Sequence, residues 1–208
     1  MRGKYKPATH KTTQTPMTDF YHTNYKTYDQ RTFTIDPSPF LNPFIQIIPS
    51  GASILDVGCA SGRDLVWFKN KGFHVTGFEK SPGLANLARK NAQCEVIEGD
   101  FEVYDFSVLS FDAIAASGAL VHVPHDRLPD VIQNISRALL KNGYFYISLK
   151  SGEGTRTDDT GRNFYLWSEA DLRGVLERLG FHVVNFKSSE SVMNSKDEWL
   201  GYVLQFRE

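Results

Sequence analysis

The stretch Ile54-Leu55-Asp56-Val57-Gly58-Cys59-Ala60-Ser61-Gly62-Arg63-Asp64 reads "ILDVGCASGRD". An apolar run interrupted by an acid leads into two glycines that bracket three small residues. Gly58 permits a turn that a Cβ would obstruct, and Gly62 permits close approach of loop and helix. Cys59, Ala60 and Ser61 keep the floor of the loop shallow. A helix is expected from about Ser61, with Leu65, Val66 and Phe68 apolar and Gly72 as its stop. The stretch is thus a buried strand, a small-residue loop and a helix. In a wound α/β sheet, ligands lie outside the carboxyl end of such a strand.

The same alternation continues downstream. "FHVTGFE" reads as a second strand, and Ser81-Pro82 as the N-cap and first position of a helix with Leu84, Leu87 and Ala88 facing inward. "CEVIEGD" is a third strand, and "FDAIAAS" a fourth, apolar on both faces as a central parallel strand should be. Leu128, Val131, Ile132, Ile135, Ala138 and Leu139 recur at helical spacing. Pro129 sits in the first turn of that helix, and Asn142-Gly143 is expected to end it. "YFYISL" is a fifth strand, and the polar, Gly-rich sequence from Ser151 to about Gly161 reads as a long loop. Ser168 with Asp171 resembles a capping box, opening a helix that buries Leu172, Val175, Leu176 and Leu179 and stops at Gly180. "FHVVNF" and "WLGYVLQF" have nothing helical between them and are expected to pair antiparallel.

These elements define an α/β fold of three layers, doubly wound and Rossmann-like. Its sheet is seven-stranded and mostly parallel, with the last strand antiparallel. Residues 1–17, rich in Lys, Thr and Pro, read as a flexible tail with no apolar segment of a secretory signal. Residues 18–208 read as a single domain. Phe20, Tyr21, Tyr25, Tyr28, Phe33, Phe40 and Phe44 are too aromatic for a linker, so 18–50 is read as one or two helices forming an N-terminal lid, with the turn at Asp36-Pro37-Ser38-Pro39.

Composition narrows the partners. With 23 Lys and Arg against 24 Asp and Glu, the net charge of -1 gives no basic field for nucleic acid or an anionic membrane. No apolar run is long enough to span a bilayer. Cys59 and Cys94 form neither a disulfide framework nor a zinc spacing, and a cytoplasmic location is expected. His122 and His125 lack an evident third ligand, so no metal is expected. Asn134-Ile135-Ser136 matches a glycosylation acceptor but lies within an amphipathic helix and is discounted. A monomer and a homodimer are both compatible with the chain.

Two acids indicate the ligand. Glu79 ends the second strand, where a carboxylate binds the hydroxyls of a ribose. An NAD enzyme would fit equally well to that point. Asp56, however, precedes the first glycine, and the loop lacks the full G-x-G-x-x-G pattern. A pyrophosphate needs backbone N–H groups and is repelled by a carboxylate. Asp56 suits a positive group instead. A nucleoside at Glu79 with an ammonium near Asp56 describes S-adenosylmethionine.

At this point the sequence resembles the class I S-adenosylmethionine-dependent methyltransferases over nearly everything after about Phe20. "ILDVGCASGRD" looks like their first motif, "VTGFEKS" their ribose-acid motif, "VIEGDF" their adenine motif, "FDAIAASGALVHVP" their fourth-strand motif and "LLKNGYFYISL" the entry to their fifth strand. The resemblance implies that Asp56, Gly58, Cys59 and Gly62 line the methionine part, with Ala60 and Arg63 in the same loop. Ala60 stands where many members have glycine. Glu79 would bind the ribose with Lys80 flanking. Asp100, after Gly99, would accept the adenine amino hydrogen with Phe101 beside the ring, and the Ser117 and Gly118 carbonyls would face the ammonium. The product would be S-adenosylhomocysteine.

On the acceptor side, His122 follows the fourth strand and is placed to act as a base or to hold its loop. Arg156 and Arg162 are candidates for holding an anionic acceptor, and Phe164, Tyr165 and Trp167 for enclosing it. Tyr21 and Tyr28 are expected to close over the cofactor as part of the lid, where their rings attract a sulfonium. The expected activity is methyl transfer to a small molecule. Methylation of a protein side chain, or cofactor binding without catalysis, are the alternatives.

Overall fold

The computed structural model describes residues 18–193 and 196–206, and the tail expected at 1–17 lies outside them. Three helices come first, α1 (Thr18–Thr23), α2 (Tyr25–Thr32) and α3 (Ser38–Ile45), rather than one or two. The turn at residue 36 breaks the helical path. The Asp36 carboxylate accepts the Ser38 N–H at 2.9 Å and its hydroxyl at 2.7 Å, a local bond that competes with helix.

The alternating part follows: β1 (Ser53–Val57), α4 (Arg63–Asn70), β2 (His74–Glu79), α5 (Pro82–Ala92), β3 (Val96–Glu98), β4 (Phe111–Ser117), α6 (Leu128–Ser136) and β5 (Leu139–Lys150). A two-stranded hairpin, β6 (Thr155–Thr157) with β7 (Asn163–Tyr165), precedes α7 (Glu169–Arg178), β8 (Phe181–Glu190) and β9 (Glu198–Phe206). Seven strands form one sheet in the order β3-β2-β1-β4-β5-β9-β8. All neighbours are parallel except that β9 runs antiparallel to both β5 and β8. The fold is therefore the doubly wound α/β sheet expected, with its last strand reversed. The chain winds away from β1 to β3 and then resumes at β4 on the other side, so the switch point lies between β1 and β4.

Side chains alternate across the sheet. Leu55, Val57, Ile114, Ala116, Phe145, Ile147 and Tyr202 pack on the face that carries Leu128, Ile132, Leu172 and Leu176 of α6 and α7. Ile54, Ala113, Ala115, Tyr146 and Val203 pack on the other face, against Leu41 and Phe44 of α3 and Phe68 of α4. Part of the segment expected as lid, α3, is thus core. The lid reading falls on α1 and α2, which lie along α5, where the Tyr25 ring rests on Gly83 so closely that a Cβ would stand 2.6 Å from it.

Two local expectations are corrected. The helix expected to run to Asn142-Gly143 ends at Ser136, and Leu139 already belongs to β5, opposite Phe111. The Phe111 N–H donates to the Ala138 carbonyl at 2.8 Å, so the sheet claims residues that helical spacing would assign to α6. Asn142, at φ +60°, lies at the irregularity where the β4–β5 register shifts. The loop expected over 151–161 contains β6, because Arg156 and Thr157 find ladder partners in Phe164 and Asn163. Ser168 caps α7 as expected, accepting the Asp171 N–H at 3.1 Å. Ser81 precedes α5 but its side chain does not cap it; its hydroxyl donates to the Tyr21 carbonyl at 3.1 Å.

Candidate functional site

A cavity of about 570 Å³ opens at the carboxyl ends of β1 to β4, beside the switch point. Gly58 and Ala60 line it from the loop after β1, Glu79 to Ser81 from the end of β2, Asp100 to Glu102 from the loop after β3, and Ser117 to Ala119 from the end of β4. Tyr21, His22 and Tyr28 cover it from α1 and α2, and His122 and Val123 close its far side.

The loop after β1 explains its own residues. Gly58 has φ +71°, and a Cβ there would stand 2.6 Å from that of Ala119. Glycine at 58 therefore lets the ends of β1 and β4 approach. At Gly62, φ is +87° and a Cβ would crowd the Ala88 backbone at 3.0 Å, so the start of α4 packs on α5 as the sequence suggested. Ala60 is left-handed as well, with φ +49°, an uncommon conformation for a residue with a Cβ.

Asp56 is 2% exposed, and its Oδ2 has no hydrogen-bond partner among the described residues. Burial pushes its carboxyl well above the usual carboxylate range; Asp64 raises it further, Arg63 opposes, and Glu79 raises it again. A buried carboxylate oxygen without a partner is costly unless a donor arrives. Glu79 is also buried, and both its oxygens take backbone amides: Oε2 accepts the Ala60 N–H at 2.9 Å and Oε1 the Ser81 N–H at 2.8 Å. Burial raises its carboxyl, and the amides of Ser81, Ala60 and Lys80 counter that rise. Each oxygen retains a lone pair for a further donor. Glu79 thus fixes the loop after β1 while facing the cavity.

Asp100 accepts the Glu102 N–H at 3.0 Å on Oδ1 and the Lys80 ammonium at 2.6 Å on Oδ2, an ion pair along the cavity wall. Phe101 lines the same wall. Cys59 and Gly99 are placed behind the cavity rather than in it. The Cys59 sulfur packs with Leu65, Ala85 and Ala88, and Gly99 lies against the Phe78 ring, which a Cβ would meet at 2.8 Å. Arg63 pairs with Asp64, Nε to Oδ1 at 2.6 Å, and its guanidinium lies 5.4 Å from the Phe40 ring centre.

Tyr21 ties the cover down. Its hydroxyl is 2.9 Å from His122 Nε2 and receives a bond from Arg162 at 3.3 Å. His122 Nδ1 lies 2.6 Å from the Asn163 carbonyl, which only accepts, so Nδ1 carries the proton and Nε2 accepts from Tyr21. Burial lowers the His122 pKa, the Asn163 bond raises it, and Arg162 and Lys150 lower it, so the imidazole stays neutral at pH 7. Tyr28 meets the Tyr21 ring edge-on at 5.2 Å.

The expected acceptor residues lie elsewhere. Arg162 donates to Asp158 at 2.9 and 2.6 Å and covers the Phe20 ring at 4.3 Å. Arg156 pairs with Asp197 at 2.6 Å. Phe164 is buried against His122, and Tyr165 packs edge-on to His125. None of the four lines the cavity. Lys150 and Asp197, a partly buried pair at 2.6 Å, are not evident in the sequence because they are 47 residues apart and meet only through the pairing of β5 with β9. Trp199 is not evident there either, because an aromatic at a strand start reads as core. His122 and His125 turn to the carbonyls of Asn163 and Leu166, and among the described residues no cluster of three or more His, Cys, Asp or Glu is placed to hold a metal.

A seven-stranded sheet of this order, with an acid at the end of β2 and a small-residue loop after β1, is the fold shared by solved S-adenosylmethionine-dependent methyltransferases. Residues 54–143 match the family model described as a methyltransferase domain. The ubiquinone biosynthesis O-methyltransferase of Xylella fastidiosa is 35% identical over 100 residues, 45% of this chain and 39% of that protein. A sterol 24-C-methyltransferase of Gibberella zeae is 34% identical over 108 residues, 47% of this chain and 27% of that protein. The matches thus span less than half of these relatives. Among solved structures, the 1,6-didemethyltoxoflavin-N1-methyltransferase of Burkholderia thailandensis superposes with a TM-score of 0.71 at 21% identity, covering 91% of this chain and 84% of that one. The magnesium protoporphyrin IX methyltransferase of Synechocystis, with bound S-adenosylhomocysteine, gives 0.67 at 16%, covering 91% and 97%. The family match covers less than half of this chain, and the solved structures, at 21% and 16% identity, share its fold.

Proposed function

We propose that the protein transfers a methyl group from S-adenosylmethionine to a small-molecule acceptor, releasing S-adenosylhomocysteine. One observation carries this reading: the unmatched buried oxygen of Asp56 stands just before a loop that Glu79 holds at the cavity wall. An ammonium supplies the missing donor at Asp56, and a ribose supplies hydroxyls to Glu79. A pyrophosphate would set its charge against that carboxylate, which disfavours NAD. The relatives named above act on small molecules, in agreement with a cavity closed over by Tyr21 and Tyr28.

When bound, S-adenosylmethionine supplies an electrophilic methyl on a good leaving group. The residues of this chain then have to bind, orient and exclude water. Asp56 and the carbonyls of Ser117 and Gly118 hold the amino-acid end, Glu79 the ribose, and Asp100 and Phe101 the adenine. Tyr21 closes the cover. Holding two reactants in line is worth about 7–11 kcal/mol in favourable systems, so a strong base is not required. His122 Nε2 is engaged by Tyr21, so any proton it takes from an acceptor passes through the Tyr21 hydroxyl.

Calorimetry with S-adenosylmethionine, S-adenosylhomocysteine and NAD tests the reading. The first two are expected to bind and NAD is not. Binding of NAD alone would overturn the assignment. Turnover of tritiated S-adenosylmethionine with an acceptor panel then separates an enzyme from a binding module.

A further inference from the structure

A second cavity of about 180 Å³ lies on the α3 and α4 face of the sheet, and it shares Tyr28, Ser117 and Gly118 with the first. The geometry points to this second cavity as the seat of the methyl acceptor, and to a neutral, flat, aromatic compound carrying one hydroxyl as the class it takes. This rests on the methyltransferase reading above.

The position follows from the shared residues. Ser117 and Gly118 end β4 at the switch point, where the amino-acid end of the cofactor is placed, so a molecule in the second cavity reaches the methyl carbon across them. Gly118 has φ +65°, and a Cβ there would stand 3.2 Å from the Trp199 ring. Glycine therefore lets the indole come up to the junction, where it offers a flat apolar platform. The hairpin side offers no such entry, since Arg156 and Arg162 already hold carboxylates and Phe164 is buried.

The class follows from the walls. Ile35, Pro39, Phe40 and Pro43 face Trp199 and Val203 across the cavity. Its charged members are accounted for. Arg63 is neutralised by Asp64, while the Lys187 ammonium donates to the Pro39 carbonyl at 2.9 Å and shares the rim with Glu190. An anion would lose its water without gaining an unmatched cation. The Ser117, Ser148 and Tyr146 side chains supply polar partners for one hydroxyl. In the transfer, a lone pair of the acceptor oxygen forms a bond to the methyl carbon as the carbon–sulfur bond breaks. That bond's electrons remain on sulfur, and the hydroxyl proton leaves to solvent past the exposed rim at Asn185 and Met193.

The test is calorimetric, with 2-naphthol and 2-naphthoate titrated into protein saturated with S-adenosylhomocysteine. The naphthol is expected to bind at least about tenfold more tightly than the naphthoate. Ile35→Trp, which fills the cavity, and Asn185→Trp, an exposed change at its rim, should each weaken naphthol about tenfold while leaving the S-adenosylhomocysteine dissociation constant within about twofold. Naphthoate binding as well as naphthol, naphthol failing to bind, or both variants binding it normally would overturn this inference alone. Failure of S-adenosylhomocysteine to bind would overturn the methyltransferase reading, and this inference with it.

Discussion

Tyr21 and His122, 101 residues apart in the chain, are joined by a 2.9 Å hydrogen bond across the cavity at the carboxyl ends of β1 to β4. The bond has a direction. His122 donates from Nδ1 to the Asn163 carbonyl, so its Nε2 accepts from the phenol, whose oxygen in turn accepts from Arg162. One hydroxyl thereby links α1, the loop after β4 and the β6–β7 hairpin.

Tyr21→Phe keeps the ring contact with Tyr28 and removes only that hydroxyl. A net hydrogen bond is worth about 0.5–1.5 kcal/mol, so S-adenosylhomocysteine should bind about 3- to 10-fold more weakly, mainly through faster release. Stopped-flow dissociation measures it, and an unchanged release rate would show that α1 does not gate the cavity.

Acid should loosen the same link. The His122 imidazole is held below its ordinary 6.5 in the native state, whereas the unfolded chain takes up the proton at the ordinary value. The unfolded state therefore binds more protons as pH falls through about 6.5, and stability present above that pH declines below it. The Arg162 and Lys150 charges act in the same sense, and Asp158 opposes them. Thermal midpoints between about pH 7 and pH 5 should fall, and His122→Gln should flatten that limb.

Asp56→Asn separates stability from binding. The Asp56 carboxyl is raised in the folded state, so its contribution to stability is fully present below about pH 4 and is lost as pH rises through the folded-state value. The amide removes that penalty, and the unliganded variant should melt higher than the parent at neutral pH. Its affinity for S-adenosylmethionine should fall about 10- to 100-fold, as expected for loss of a charged hydrogen bond. A variant that melts higher and binds normally would remove Asp56 from the site.

Ala60→Gly addresses the left-handed alanine in the loop after β1. A left-handed alanine costs about 1–2 kcal/mol, and the freedom of glycine in the unfolded chain returns about 0.5–1 kcal/mol of that. The variant should be stabilised by up to about 1 kcal/mol, or about 2–4 °C in Tm for a domain of this size. A fall in Tm would mean that the Ala60 methyl packs usefully against the cavity wall.

Much of this was legible in local sequence. Strand ends at Val57 and Glu79, the glycines at 58 and 62, the Ser168 cap and the two-faced apolar run of β4 each follow from the backbone needs of a few adjacent residues. Local reading failed where two elements competed for the same residues. Ala138 and Leu139 continue a helical stripe, yet the neighbouring strand takes them into the sheet, because the Phe111 N–H needs the Ala138 carbonyl. Arg156 and Arg162 read as free cations in a polar loop, and the fold supplies each with a carboxylate.

By itself, then, the sequence determined the wound sheet, its switch point and the two acids placed at the ends of β1 and β2, because period, turn chemistry and strand-end identity are properties of short segments. Tertiary structure alone decided that Tyr21 closes on His122, that Lys150 meets Asp197, and that a second cavity opens beside Gly118. Those features depend on distances between side chains brought together by packing from far along the chain, and no spacing in the linear sequence encodes them.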